Sequence, residues 1–313
     1  MPLPLHWEEG VVPQHREVMH TANTRFDFLS QALQRVYMIV SALSPLHTVL
    51  VAPLATGGAM AVYKLTVLVA DASPYHLVCK IPHARRIIYT DETHGQTAGD
   101  STHQLLARLV TLADHLAHHA PGLFPRCGGF WHWQTAEGIA QHLLVEEFIA
   151  GVSVERLKHR YENQHLAGHL TLASYTQQRI AIERLAIATY LRLWHALGRH
   201  TFTSDPSPWN ILVRESSPES AALLTATIID LHSLEEPVRF GYVVQRLAAV
   251  YGLRQEIIEH VLLPGILDAL GREDGRALLH AELPWLTEEA ERTRQNLGVD
   301  LQRPLLTAIR HLS

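Results

Sequence analysis

The chain is poor in cysteine, in net positive charge and in long apolar runs, and each shortage removes a class of protein. Its two cysteines, Cys79 and Cys127, cannot build the disulfide framework by which small secreted domains compensate for thin cores. Cys79 lies in an apolar, strand-like run and reads as a buried thiol. Lysine and arginine total 26 against 31 aspartates and glutamates, a formal charge of −5. Without a basic surplus, general binding to DNA or RNA, which draws on counterion release, is not expected. No run of about eighteen apolar residues is present, so no membrane span is expected. The opening MPLPLHWEEG lacks the basic stretch followed by an apolar one that marks a secretory signal. A cytoplasmic protein is the expectation.

What is present suits a folded chain with a substantial core: 47% apolar and 18% charged residues. Its 313 residues allow one large domain or two lobes. Histidine is abundant, at 22 residues, so many groups titrate near neutrality. His115, His118 and His119 fall on one helix face by their spacing, either as a solvated face or as a metal site. No Cys, Asp or Glu set joins them at ligand spacing.

From residue 14 to 43 the apolar residues, among them Phe26, Leu29, Leu33, Val36 and Val40, recur at three- and four-residue steps, which predicts a helical extension. Strand-like segments follow at 47–54, 59–70 and 75–81, joined by turns containing Gly57-Gly58 and Asp71 to Pro74. A helix is expected near 101–118, then strands at 129–134 and 139–148. Beyond Gly151 the pattern turns helical, most strongly at 172–200. Two short strand pieces interrupt it, one after Asn210 and one at 225–229. This predicts an α+β protein with three parts: an N-terminal helical extension (1–46), a small antiparallel-sheet lobe (47–150) and a larger helical lobe (151–313).

The chemistry concentrates in Ser204-Asp205-Pro206-Ser207-Pro208-Trp209-Asn210, which follows a long helix and precedes a short apolar strand. An aspartate, an asparagine five residues on and a strand make a phosphoryl-transfer arrangement. The carboxylate can orient a hydroxyl nucleophile, and the amide oxygen can bind Mg²⁺. A second acid, Asp230, ends the apolar run Ala226-Thr227-Ile228-Ile229. A hairpin over residues 214–225 would bring it to Asn210.

These residues resemble the catalytic loop of protein-kinase-like enzymes, closest to the small-molecule branch of aminoglycoside and choline phosphotransferases, whose usual form is His-Gly-Asp-Leu-x-x-x-Asn-Ile-Leu. Asp230-Leu231-His232 is similar to the metal-binding Asp-Phe-Gly motif. Val78-Cys79-Lys80-Ile81 resembles the strand carrying the phosphate-binding lysine. Leu144 to Gly151 resembles the hinge, in which backbone groups near Glu147 and Ile149 would bond adenine. Gly57 and Gly58 sit where the phosphate-covering loop belongs. The resemblance covers about residues 49–239. It departs at Thr203, where the family has a supporting His, at Pro206, where it has Leu, and at Met60, where a third Gly would be expected. The acid that would pair with Lys80 is open: Gln104 holds the nearest helical position, with Asp100 and Glu92 as alternatives.

The resemblance implies a two-lobed kinase-like fold and an ATP- and Mg²⁺-dependent phosphotransferase acting on a small-molecule hydroxyl. In it Asp205 orients the acceptor, Asn210 and Asp230 hold the metal, and Gly57, Gly58, Lys80, Glu147 and Ile149 hold the nucleotide. The acids Glu288, Glu289 and Glu291 with Trp285 would either line an acceptor cleft or form a solvated face. A pseudokinase serving as an interaction module, and AMP transfer on the same fold, are the alternatives. The N-terminal helices either brace the small lobe or form a dimer contact.

Overall fold

The computed structural model describes residues 3–39, 48–56, 60–70, 72–82, 102–214, 225–231, 234–297 and 302–312. The chain divides into two compact units, Met1–His118 with Pro125–Ile149, and His119–Phe124 with Ala150–Ser313.

Unit 1 is built on strands β1 (Leu5–Trp7), β2 (Thr48–Thr56), β3 (Met60–Leu68), β4 (Tyr75–Pro82), β5 (Cys127–Gln134) and β6 (Ala140–Glu147). They form one sheet in the order β1-β2-β3-β4-β6-β5. Only the three-residue β1 runs parallel to its neighbour; the other pairs are antiparallel. Along β3, buried Ala61, Tyr63, Leu65 and Val67 alternate with half-buried residues, the period-two pattern of a strand with one face on the core.

That face is covered by α1 (Pro13–Phe26) and α2 (Phe28–Tyr37). Phe28, Leu29, Ala32, Leu33 and Val36 make the buried stripe of α2, and full burial of each large side chain contributes about 2 kcal/mol. Gly128 on β5 allows the close approach, since a Cβ there would stand 2.9 Å from the Ala32 Cβ. The Asn23 amide donates to the Leu3 carbonyl at 2.8 Å, and the Arg126 guanidinium donates to the Val36 carbonyl at the end of α2, at 3.0 Å. The extension is thus a brace with its apolar stripe spent on the sheet. The helical extension expected over 14–43 consists, among the described residues, of two helices broken at Asp27, which sits in the left-handed region (φ 49°). A short polar residue tolerates that conformation, and because both helices share one apolar period the break leaves no mark in the pattern.

The third helix, α3 (Thr102–His119), completes this part. His115, His118 and His119 are exposed on it, as a solvated face requires. Cys79 and Cys127 are both buried. Burial holds the Cys79 thiol well above its ordinary range and pushes Cys127 up to about 12, so neither is poised as a thiolate.

Unit 2 opens with β7 (Val152–Ser153), followed by α4 (Val154–Leu166) and α5 (Leu172–Ala196). Ser153 and Thr171 cap the two helices by accepting from the Arg156 and Ser174 amides. Then come β8 (Phe202–Thr203), β9 (Ile211–Arg214), β10 (Thr225–Ile228) and β11 (Leu234–Glu235). Next come α6 (Phe240–Tyr251), α7 (Gln255–Ile257), a π turn at Ile258–Leu262, α8 (Leu263–Leu270), α9 (Arg272–Leu297) and α10 (Arg303–Arg310). The small sheet β10-β9-β7 rests on α5 and carries the candidate site. Among the described residues no helix is long and apolar enough to cross a membrane. The architecture is α+β: an antiparallel-rich N-terminal sheet followed by a helical body.

Candidate functional site

In unit 2, β9 and β10 pair antiparallel with Ile228 opposite Ile211 and Thr225 opposite Arg214. The ladder continues one step further, because the Ile229 amide donates to the Asn210 carbonyl at 2.9 Å. Asp230 follows directly. The hairpin therefore converts a separation of twenty positions in sequence into adjacency at one strand end. Ala226, Thr227 and Ile228 are all buried, so β10 is covered on both faces. The Thr227 hydroxyl donates to the Gly122 carbonyl, and the Ile228 amide to that of Leu123.

The loop before β9 is tied down residue by residue. The buried Thr203 hydroxyl accepts from the Asp205 amide at 3.1 Å. Thr203 thus supports the loop where the resembled family uses a histidine. Ser207 caps the one-turn 3₁₀ segment Pro208–Asn210, and its carbonyl accepts both from the Asn210 amide and from the buried Tyr190 hydroxyl, the latter at 2.8 Å. The Asn210 amide nitrogen makes a long contact of 3.5 Å to Asp205 Oδ2. Gly151, beside β9, is needed for close approach: a Cβ there would stand 2.8 Å from the Val213 carbonyl oxygen. The Tyr190 phenol is held well above its ordinary range, first by burial, then by electrostatic coupling to Tyr251, Asp205 and Asp230. One buried hydroxyl on α5 thus feels both carboxylates.

These residues suit Mg²⁺. That ion takes hard oxygen ligands, keeps several waters, and is held by one or two carboxylates together with substrate phosphates. Asp230 supplies a carboxylate. With its nitrogen toward Asp205, Asn210 has its amide oxygen left for a cation. Among the described residues no group of three His, Cys, Asp or Glu side chains could hold a metal alone. A zinc-type cage is therefore a poor fit among the described residues.

In unit 1, β4 pairs with β6 so that Val78 lies opposite Glu146 and Lys80 opposite Leu144. Lys80 and Glu146 therefore share a sheet face, the one turned away from α1 and α2. Their side chains form an ion pair at 2.7 Å, with 14% and 5% of each exposed. Residue spacing along the chain did not single out Glu146 as this partner; the strand pairing would have, because antiparallel register sets which residues share a face. Gln104 lies on the first turn of α3, while Glu92 and Asp100 lie outside the described residues, as do Gly57 and Gly58.

At the end of β6 the Glu147 amide donates to the Arg126 carbonyl at 2.9 Å, and the Phe148 amide to that of His76. The sheet ladder stops there. The Ile149 amide takes no backbone partner among the described residues.

The acids of α9 are otherwise engaged. Arg292 pairs with Glu288 and Glu289, and Arg294 with Glu291, all within the helix. This is a self-neutralised surface rather than an acidic lining. Trp285 instead packs under the Arg239 guanidinium, 5.0 Å from the ring centre.

No family model matches the chain, and no curated protein does. Solved structures do. "WaaP in complex with acyl carrier protein" is similar over 92% of this chain and 98% of that one, at 16% identity and a TM-score of 0.41. The BubR1 kinase domain is similar over 65% of this chain and 60% of that one, at 10% identity and a TM-score of 0.43. Values in this range describe distant likeness of fold, and the functional reading rests on the residues above.

Proposed function

We propose that the protein is an ATP- and Mg²⁺-dependent phosphotransferase acting on a hydroxyl of a small molecule. The observation that carries this reading is the convergence of Asp205, Asn210 and Asp230 at the end of the β9–β10 hairpin, joined by the Ile229-to-Asn210 backbone bond. Asn210 and Asp230 would hold Mg²⁺, which when bound neutralises phosphate charge. Asp205, at the mouth of the loop and exposed, accepts a hydrogen bond from the acceptor hydroxyl, orients it and takes its proton. Thr203 and Tyr190 keep the loop in place while this occurs. Lys80 is the cation for the nucleotide phosphates, with Glu146 fixing its rotamer. The Glu147 carbonyl and the Ile149 amide are the adenine-bonding pair.

A small acceptor is favoured because Glu235, Glu236 and Pro237 follow Asp230 too soon for a peptide-docking activation segment. The test is ATP consumption against a panel of amino alcohols, sugars and aminoglycosides, with wild type and Asp205→Asn. One acceptor should stimulate turnover in wild type, and the variant should lose about 10²- to 10⁴-fold in kcat with its melting temperature unchanged. Equal turnover by both proteins removes Asp205 from the chemistry.

The second reading, an interaction module without transfer, draws on one feature: Lys80 is paired inside its own sheet with Glu146. Stimulation by no acceptor, together with absent nucleotide binding, would favour it.

A further inference from the structure

The face of the sheet that carries Lys80 and Glu146 continues along β6 and β5 to a second group of side chains. Register places His132 opposite His142, and Phe130 two positions before His132 on the same face. His103, from the first turn of α3, closes over them. Its ring centre lies 4.2 Å from that of His132, edge to face, and 6.5 Å from that of His142. Phe130 stacks parallel to both strand histidines, at 5.8 and 6.0 Å. Together with Arg25 from the end of α1 and Gln134, the three histidines line a cavity of about 750 Å³, within the range of roughly 300–1,000 Å³ in which small molecules bind.

We propose that this cavity is a binding site for a small oxyanion, a phosphomonoester or a carboxylate, separate from the catalytic loop.

Four features of the lining agree. Arg25 carries a permanent charge and three imidazoles can each donate an N–H, while among the described residues no carboxylate lines the cavity. Glu137, in the β5–β6 turn, is hydrogen-bonded to Thr135. The His103 Nδ1 is closed off from solvent and has no hydrogen-bond partner among the described residues, a cost that rotation of the ring onto a ligand oxygen would remove. The first turn of α3 faces the group with the positive end of an 18-residue helix. Among the described residues, the titratable groups that act on His142 are His103 from α3 and His132 from β5, and Arg25 from α1 lines the same cavity. Burial, then His103 and His132, hold the His142 imidazolium below its ordinary range. An anion among the rings reverses that balance, so binding must take up protons and strengthen as pH falls. The same arrangement argues against a metal: parallel and edge-on ring contacts do not converge ring nitrogens on one point, and among the described residues no group of three His, Cys, Asp or Glu could hold one.

The test is calorimetric titration of the full chain with inorganic phosphate and with succinate, at about pH 8 and about pH 6. Binding of either, at least tenfold tighter at the lower pH, is expected; the tighter of the two names the ligand class. The His132→Gln/His142→Gln double variant and Arg25→Gln should each weaken binding by tenfold or more. Because the double variant risks misfolding, the wild type is also followed by histidine ring NMR, where phosphate should move the His142 titration upward. Absence of binding at both pH values, affinity independent of pH, or binding of Zn²⁺ with none of either anion would overturn the proposal.

Discussion

Two buried glutamates, one in each unit, each hold a lysine, and the contrast separates a poised group from a structural one. The chain has only three lysines, Lys64, Lys80 and Lys158. In unit 1, Glu146 meets Lys80 across two strands of fixed register, at 2.7 Å. In unit 2, Glu183 on α5 is shared by Lys158 of α4 at 3.2 Å and Arg179 at 3.5 Å, and Lys158 also holds Glu155 at 2.9 Å. That second set is a several-membered network clamping two helices. Burial of a charged pair therefore does not by itself mark function. The set on α4 and α5 ties two helices together and reads as scaffold, whereas the Lys80–Glu146 pair joins two strands and carries the proposed phosphate site.

The largest effect that would break this comparison is Glu183→Ala. It removes the acceptor of two cations in a helical core and should cost about 3 kcal/mol, measured by urea unfolding, while nucleotide response in the surviving folded protein is retained. A loss below about 0.5 kcal/mol would mean the network is idle. Glu146→Gln should act the other way. It keeps shape and hydrogen bonding, costs about 1 kcal/mol, and changes ATP affinity about tenfold; if stability falls and affinity does not move, the pair is structural like its counterpart.

Thr203→Val comes next, at about 1 kcal/mol for the lost acceptor of the Asp205 amide. Turnover should fall with it, and Thr203→Ser should restore both. Rescue by serine would not occur if the methyl group, rather than the hydroxyl, mattered.

The smallest effect is on pH dependence. Burial, and for His76 also the charge of Lys64, holds His76 and His142 below their ordinary range. The folded chain thus binds fewer protons than the unfolded one below about pH 6.5. Their contribution is complete above that pH and is lost as pH falls through the folded values. The melting temperature should decline from about pH 8 to about pH 5.5, and less steeply in His142→Gln; an identical slope would remove His142 from the account.

The strands of unit 1 were legible because β-branched and apolar runs were separated by Gly- and Pro-containing turns. The return of residue 229 to Asn210 was legible because two short apolar strands flank a polar stretch. What escaped depended on pairing across long separations. Glu146 becomes the partner of Lys80 only once β4 is placed beside β6. Tyr190 becomes a loop anchor only once α5 lies under Ser207. β1 is too short to carry a pattern, and Asp27 breaks a helix whose apolar period is uninterrupted. The role of Thr203 was hidden differently: as a departure from the resembled motif it looked like a loss, yet its hydroxyl supports the Asp205 amide.

The central claim, that Asn210 and Asp230 form the metal end of a nucleotide site, is tested most directly by the thermal shift of wild type and Asp230→Ala with ATP, in the presence and absence of Mg²⁺. A ligand that binds only the folded state raises the melting temperature by mass action. The account predicts a Mg²⁺-dependent rise in wild type that is absent in Asp230→Ala. A rise of equal size in both proteins, or in neither, would contradict it.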